Sequence, residues 1–346
     1  MTRIYLVRHA EAEGNLYRIV QGQANSSLTD RGWRQVAALQ KRFADIHIDA
    51  VYTSDLYRTC ATASAVYKPK GLAPCRRRDL REIYVGSWEG RTWGDIARTE
   101  PEQMKYFSHR PDLWYSEGAE TPLEVLERVK QAVFAIAAEN EGKTVAVFSH
   151  GYAIRLLLAH LQGYPVERMG ESPTGQNTAV SLLEAEDGEM KVLFRDDISH
   201  LQTAEHLAGD KVRRKSDPLE PGLWFKPPQG AEAADIAGQS GLELREEAET
   251  LVGWSWETAV GVVQLGPEVG RIAAACILPD YRAKGFGGQL IGQAVQWTRS
   301  RGGGELRSAL PESSAAKSFF RDYGFTEQDG ELVKDIRFLP EFLGEA

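Results

Sequence analysis

The chain has 346 residues, enough for two domains with separate cores. Its 42% hydrophobic and 26% charged residues are the composition of a globular protein, and no apolar run is long enough to span a bilayer. The net charge of −8 excludes a general nucleic-acid binder with a basic face, and the isolated Cys60, Cys75 and Cys276 show no metal spacing, so we expect unpaired thiols in a reducing, cytoplasmic setting.

Ile4 to Val7 is a short β-branched and aromatic run, cut by Arg8, that fits a buried strand rather than a signal peptide. It delivers Arg8-His9-Ala10-Glu11 to the strand's carboxyl end. Thr29 is a candidate N-cap for a helix carrying Val36, Leu39 and Phe43. Ala50 to Thr53 reads as a strand, and Ser54-Asp55 as the cap of a helix carrying Arg58. Trp88 to Glu120, rich in Trp, Tyr and Pro, has no clean period and looks like an inserted lid, with Trp88, Trp93, Trp114 and Tyr115 as its packing residues. Thr121 to Ala138 predicts an amphipathic helix with Leu123, Leu126, Val129, Val133 and Ile136 on its apolar face. Thr144 to Phe148 is another buried strand, ending in Ser149-His150-Gly151, and Ala153 to Leu161 a helix. Ala179 to Leu183 and Met190 to Phe194 predict a hairpin turning at Asp187-Gly188. Strands alternating with helices imply a three-layer α/β/α fold with a mostly parallel sheet, whose ligands sit at the strands' carboxyl ends.

Ala208 to Gly222 reads as a linker. Beyond it a smaller α+β pattern begins: a hairpin over Leu251 to Leu265, a strand Arg271 to Leu278 and a helix Gly287 to Arg299. A strand Glu305 to Leu310, a helix Ala315 to Tyr323 closed by Gly324 and a strand Leu332 to Phe338 complete it. We therefore expect domains at 1–203 and 222–346, joined by 204–221.

Cleaving a phosphate ester without a metal takes a nucleophile, fixed positive charge and a proton donor for the leaving oxygen. His9 can attack as a neutral imidazole, Arg8 and Arg58 can hold phosphoryl oxygens with planar forks, His150 can add a donor, and Glu82 can move protons. Singly, each has a bland reading as a structural or solvated residue, and Arg76-Arg77-Arg78 is read as a solvated face.

Together the motifs resemble the histidine phosphatase, or phosphoglycerate-mutase-like, superfamily. They are Leu6-Val7-Arg8-His9-Ala10-Glu11 with Asn15, Gln21-Gly22, Ser27 to Gly32, Thr53 to Thr59, Leu80 to Ile83 with Gly86 to Gly90, Phe148 to Gly151 and Asp197 to Leu201. The resemblance implies a phosphohistidine at His9, phosphoryl binding by Arg8, Arg58 and His150, proton transfer by Glu82, and a substrate side lined by Asn15, Gln21 and Gly22. Ala10 stands where the family most often has Gly, and a tighter turn is expected there. The short Gly86 to Gly90 segment looks like the phosphatase branch, which hydrolyses phosphate monoesters. A phosphoglycerate-mutase-type phosphotransferase is the alternative.

In the second module, Pro279 to Gly288 joins a strand to a helix, and its glycines let backbone N–H groups approach a pyrophosphate. Leu290 excludes a dinucleotide fingerprint and Gln289 a P-loop. The segment resembles the acyl-CoA loop of GNAT N-acetyltransferases, carried by Arg282, Gly285 and Gly287, with a second match over Ala316 to Phe325. By that resemblance Ile277 would pair with the pantetheine arm of acetyl-CoA, and residues 282 to 288, Gly288 included, would hold the pyrophosphate, with an amine as acetyl acceptor. Ser313 stands where the family often has Asn, and Phe320 where many members have a proton-donating Tyr. A non-catalytic sensing or interaction module, or a homodimer contact, is the other reading.

Overall fold

The computed structural model describes residues 1–202, 207 and 221–343. Apart from Leu207, Pro221 and Gly222, the expected linker lies outside the described residues.

The first unit runs β1 (Thr2–Arg8), α1 (Glu13–Tyr17), α2 (Asp30–Phe43), β2 (Ala50–Ser54), α3 (Tyr57–Lys70), β3 (Pro74–Arg77), α4 (Trp93–Thr99), α5 (Pro101–His109), α6 (Pro122–Glu139), β4 (Thr144–Ser149), α7 (Gly151–Leu161), β5 (Val180–Glu186) and β6 (Glu189–Asp197). The strand order is β3-β2-β4-β1-β5-β6; the first four are parallel, and β5 and β6 are antiparallel. Alternation along β1 makes the layers. Ile4 and Leu6 face a core built with α6 and α7, whereas Val7 faces one built with α2 and α3. His9 and His150 follow the adjacent strands β1 and β4, so the parallel register alone brings them together.

The helix starts follow their caps. Thr29 Oγ1 accepts from Gly32 N–H, and Thr121 forms a reciprocal capping box with Glu124. The expected Ser54-Asp55 cap is a correction. Leu56 is the N-cap of α3, and Asp55 instead takes a bidentate pair with Arg81 at 2.6 Å for both bonds. Leu123 is also corrected: it is 55% exposed, one position off the buried stripe of α6.

The second unit comprises β7 (Trp224–Lys226), α8 (Glu232–Gln239), β8 (Glu249–Ser255), β9 (Thr258–Leu265), β10 (Arg271–Ile277), α9 (Phe286–Ser300), β11 (Glu305–Ala309), α10 (Ser314–Asp322), β12 (Thr326–Gln328) and β13 (Glu331–Asp335). Its sheet is ordered β12-β13-β11-β10-β9-β8-β7. Helix α8 covers one face, and α9 and α10 the other. Leu16 and Tyr17 of α1 join the α9 side of this core, so the two units share a packed seam.

The last strand ends at Asp335, short of the expected Phe338. The following tail returns to the first unit, where Phe338 and Phe342 pack on Tyr57. Arg76, read from sequence as solvated, donates to the Glu341 and Leu343 carbonyls of that tail. Among the described residues all three cysteines are free, and no helix is long and apolar enough to cross a membrane.

Candidate active site

Arg8, His9, Asn15, Gln21, Arg58 and Glu82 line one cavity of about 390 Å³ at the carboxyl end of the first sheet. Its lining holds four arginines, at 8, 18, 58 and 155, against the single carboxylate of Glu82 among the described residues. An acidic protein thus presents a cationic cavity suited to an anionic ligand.

His9 is 5% exposed, and its Nδ1 lies 2.7 Å from the Ala10 carbonyl oxygen. A carbonyl only accepts, so Nδ1 carries the proton and Nε2 keeps its lone pair. Burial, then the Arg58 and Arg8 charges, hold this imidazole well below the ordinary histidine value. Ala10 is fully buried and lies outside the left-handed region, so its methyl costs no backbone strain. Its N–H donates to Thr62 Oγ1, which in turn donates to the Arg58 carbonyl, tying β1 to α3.

The guanidinium of Arg58 donates to the carbonyls of Ala24 and Gly22 at 2.9 and 2.7 Å. Burial lowers its pKa to about 10, still charged at neutral pH. Gly22 therefore backs Arg58 rather than lining the cavity, and Glu89 fixes that loop through the Gln23 and Ala24 amides. His150 is fully buried, with Nε2 2.9 Å from Ser54 Oγ and Nδ1 without a hydrogen-bond partner. Burial and the Arg58 charge lower its pKa well below the usual range. Its ring centroid lies 5.3 Å from that of His9.

Glu82 accepts from the Ile83, Tyr152 and Ala153 amides, so its carboxylate sits at the N-terminus of α7. Arg128 of α6 holds the same loop through the Asp79, Arg81 and Glu82 carbonyls.

Sequence reasoning missed several lining residues. Asn177 donates to the His9 carbonyl at 3.0 Å from a loop with no periodic signal. The expected lid forms a cap built on α4 and α5, and Arg155 ties α7 to it through the Ser108 carbonyl and to the chain before β5 through the Ser172 carbonyl. Of the lid aromatics, Trp93 reaches the cavity; Trp88 is fully buried, with Nε1 donating to Glu100. Phe107 also lines it, stacked on Tyr152 at 4.5 Å. Among the described residues no cluster of His, Cys, Asp or Glu could hold a metal ion.

The remaining sequence-derived site residues lie in the second unit. β10 and β11 pair only at Arg271–Arg307 and Ile272–Ser308, so the strands separate before Ile277. Arg282 Nε donates to the Ile277 carbonyl at 3.1 Å. Gly285 caps α9 at φ +82°, a left-handed conformation that favours glycine, and residues 286 to 288 begin the helix. Phe320 is buried edge-to-face on Phe325, and Ser313 is the N-cap of α10.

Residues 4–197 match the family model of the histidine phosphatase superfamily (branch 1), and residues 232–340 that of an acetyltransferase (GNAT) domain. The chain belongs to the histidine phosphatase superfamily, in the enzyme class of phosphoric monoester hydrolases, and carries a GNAT domain after it. It is 30% identical over 213 residues to a metal-independent phosphoserine phosphatase of Arabidopsis thaliana, covering 60% of this chain and 86% of the relative. It is 27% identical over 201 residues to phosphoserine phosphatase 1 of Hydrogenobacter thermophilus, covering 58% and 95%. The solved structure of Bacillus stearothermophilus YhfR superposes with a TM-score of 0.57 at 31% identity, covering 58% of this chain and all of that one.

Proposed function

We propose that the first unit, residues 1–203, is a metal-independent phosphatase that hydrolyses small phosphate monoesters through a phosphohistidine on His9. The carrying observation is the 2.7 Å Nδ1 contact of His9, which leaves a lone pair on Nε2 inside an arginine-lined cavity. Nε2 attacks phosphorus, and the ester P–O bond breaks with its electron pair leaving on the alkoxide oxygen. Glu82 delivers a proton to that oxygen. Arg8, Arg58 and His150 stabilise the charge on the phosphoryl oxygens. Glu82 then takes a proton from water, which attacks the phosphohistidine. The P–N bond breaks, and phosphate and neutral His9 are restored. Asn15 and Gln21 face the leaving group, with Gly22 behind Arg58.

Two relatives bear the name phosphoserine phosphatase, so phosphoserine is the first substrate to try. The test is steady-state phosphate release from phosphoserine and 3-phosphoglycerate. Release from at least one ester, lost in His9→Ala, is expected. Isomerisation of 3-phosphoglycerate faster than phosphate release would overturn the phosphatase reading in favour of a mutase.

For the second unit, residues 222–346, the supported reading is acyl-CoA binding. The separated β10 and β11 leave the Ile277 backbone unpaired by β11, and Gly285 to Gly288 offer helix N-terminal amides to a pyrophosphate beside Arg282. Acetyl-CoA would supply an acetyl group there for an amine. Phe320, buried and with no ionisable group, gives no acid at that position. Calorimetric titration with acetyl-CoA tests the binding, and absence of heat at millimolar ligand would overturn it.

A further inference from the structure

One face of α9 runs along the phosphatase unit. Gln289, Gly292, Gln296 and Arg299 recur at intervals of three and four, the spacing that aligns side chains along one side of a helix. Each meets the first unit or the segment leading from it. Gln289 Oε1 accepts from Leu223 N–H at 2.7 Å, and Leu223 is so close to the cap helix α4 that a methyl on Gly94 would lie 2.5 Å from its carbonyl. Gly292 abuts α1, where a methyl would lie 2.5 Å from Tyr17 Cβ. Gln296 Nε2 donates to the Gly90 carbonyl at 2.9 Å. Arg299 pairs with Glu13 at 2.5 Å and donates to Ser27 Oγ at 3.3 Å.

The elements touched are walls of the phosphatase cavity. α1 contributes Asn15, and the chain just after it contributes Val20, whose carbonyl accepts from Gly90 N–H at 3.0 Å. The cap contributes Trp93. The other end of α9 is its N-terminus, Gly285 to Gly288. One rigid fifteen-residue helix therefore has its first turn in the candidate pyrophosphate site and its flank against two walls of the phosphoester site. At Gly292 the packing leaves no room for α9 to move without α1.

We propose that acyl-CoA bound at the start of α9 and a phosphate ester bound beside His9 are thermodynamically linked, with α9 carrying the coupling, so that the second unit is an acyl-CoA sensor for the phosphatase. This rests on both readings given above. α9 and α1 are in direct contact, so a ligand that holds the first turn of α9 in its bound position also holds α1 and the cap entrance, and the second ligand then finds that wall in place. The linkage is positive, and it is the same in both directions.

The test uses the full chain, with CoA and orthovanadate, an anion of phosphoryl shape, as probes. Calorimetry gives the CoA dissociation constant with and without saturating vanadate, and inhibition of phosphate release gives the vanadate constant with and without CoA. We expect each ligand to tighten the other by the same factor, about fivefold or more. Hydrogen exchange of the 12–18 amides should slow when CoA alone binds. In Gln289→Ala/Gln296→Ala the factor should fall towards one, while each ligand alone keeps its affinity.

CoA binding that vanadate leaves unchanged or weakens overturns the coupling and leaves both site readings standing. An unchanged factor in the double variant overturns α9 as its carrier. Absence of CoA binding, or of vanadate inhibition, overturns the coupling together with the corresponding site reading.

Discussion

His9 Nδ1 donates to the carbonyl of the very next residue, Ala10, across 2.7 Å. This local contact settles which ring nitrogen is free, because it spends the only proton of a neutral imidazole on a backbone carbonyl. A phosphoenzyme formed during turnover should therefore carry its label on His9 Nε2. Rapid acid-free quenching with radiolabelled substrate should trap an acid-labile, alkali-stable adduct, and His9→Ala should lose both the adduct and at least about 10³-fold in kcat/KM. A labelled variant lacking His9 would sink the assignment.

Glu82 lines the cavity, and in the proposed mechanism it serves the leaving oxygen, so the cost of removing its proton should depend on the leaving group. In Glu82→Gln an alkyl phosphate should lose about 10²–10⁴-fold in kcat. A nitrophenyl phosphate, whose anion departs unassisted, should lose far less. Gln keeps one of the two oxygens to which the α7 amides donate, and an unchanged urea midpoint would show that the fold survives the loss of the other. Equal losses for both esters would show that Glu82 positions the site instead of moving a proton.

Much of this site was legible in the sequence because its chemistry sits at element ends. Short apolar strands place Arg8-His9 and His150 at carboxyl termini, and strand–helix alternation implies a mostly parallel sheet, but only the structure shows that β4 lies beside β1. The family resemblance supplied the roles proposed for these residues. What was not legible depends on packing between segments far apart in the chain. Asn177 and Arg155 line the cavity only because a loop before β5 and the cap fold over it. Leu123 carries the right side chain at a position one step off the stripe, where periodicity alone misleads. The seam between α1 and α9 has no sequence signal, because Gly292 marks it by lacking a side chain.

Ala10 gives a stability prediction. The family's usual glycine is expected to be tolerated catalytically, since Ala10 meets Thr62 Oγ1 and His9 Nδ1 through its backbone N–H and carbonyl alone. The methyl is fully buried, and glycine frees the unfolded chain. Ala10→Gly should therefore lower the unfolding free energy by about 1 kcal/mol in urea titration, with kcat within about twofold of the parent. A stabilised variant would mean that the methyl is strained.

The buried histidines set an acid limit. His9 and His150 are held well below their ordinary value, chiefly by burial, and His200 is lowered to about 4 by burial and Arg42. Below about pH 6.5 the unfolded chain takes up protons that the native fold refuses, so stability is full above that pH and falls as the pH drops through it. Urea midpoints should decrease between pH 7.5 and 5.5, before most carboxylates titrate, and unfolding at pH 5.5 should absorb protons. The acid limb of kcat/KM for an aryl phosphate, corrected for the ester's own ionisation, should lie below pH 6.5. A flat midpoint across that window would contradict the buried, neutral histidines.

The C-terminal tail supplies the last prediction. Phe342 is 1% exposed and belongs to the α2–α3 side of the phosphatase core, with Trp33 and Tyr57 rings at 5.9 and 5.7 Å and Lys68 Nζ 4.9 Å from its own ring. Tyr57 immediately precedes Arg58, so this contact braces the start of the helix that carries Arg58 into the cavity. Phe342→Ala should cost about 3–5 kcal/mol, the range for emptying a packed aromatic site. The loss should appear in the unfolding transition of the first unit, although the mutation lies near the far end of the chain. At 25 °C kcat should change little, because no atom of Phe342 reaches the cavity, while the thermal midpoint of phosphatase activity falls. Residues 1–203 alone should show at least this deficit, since they lack Phe338 and Phe342 and also the α9 side of the seam with α1. A first unit that unfolds at the same temperature with and without the tail would show that its core closes unaided.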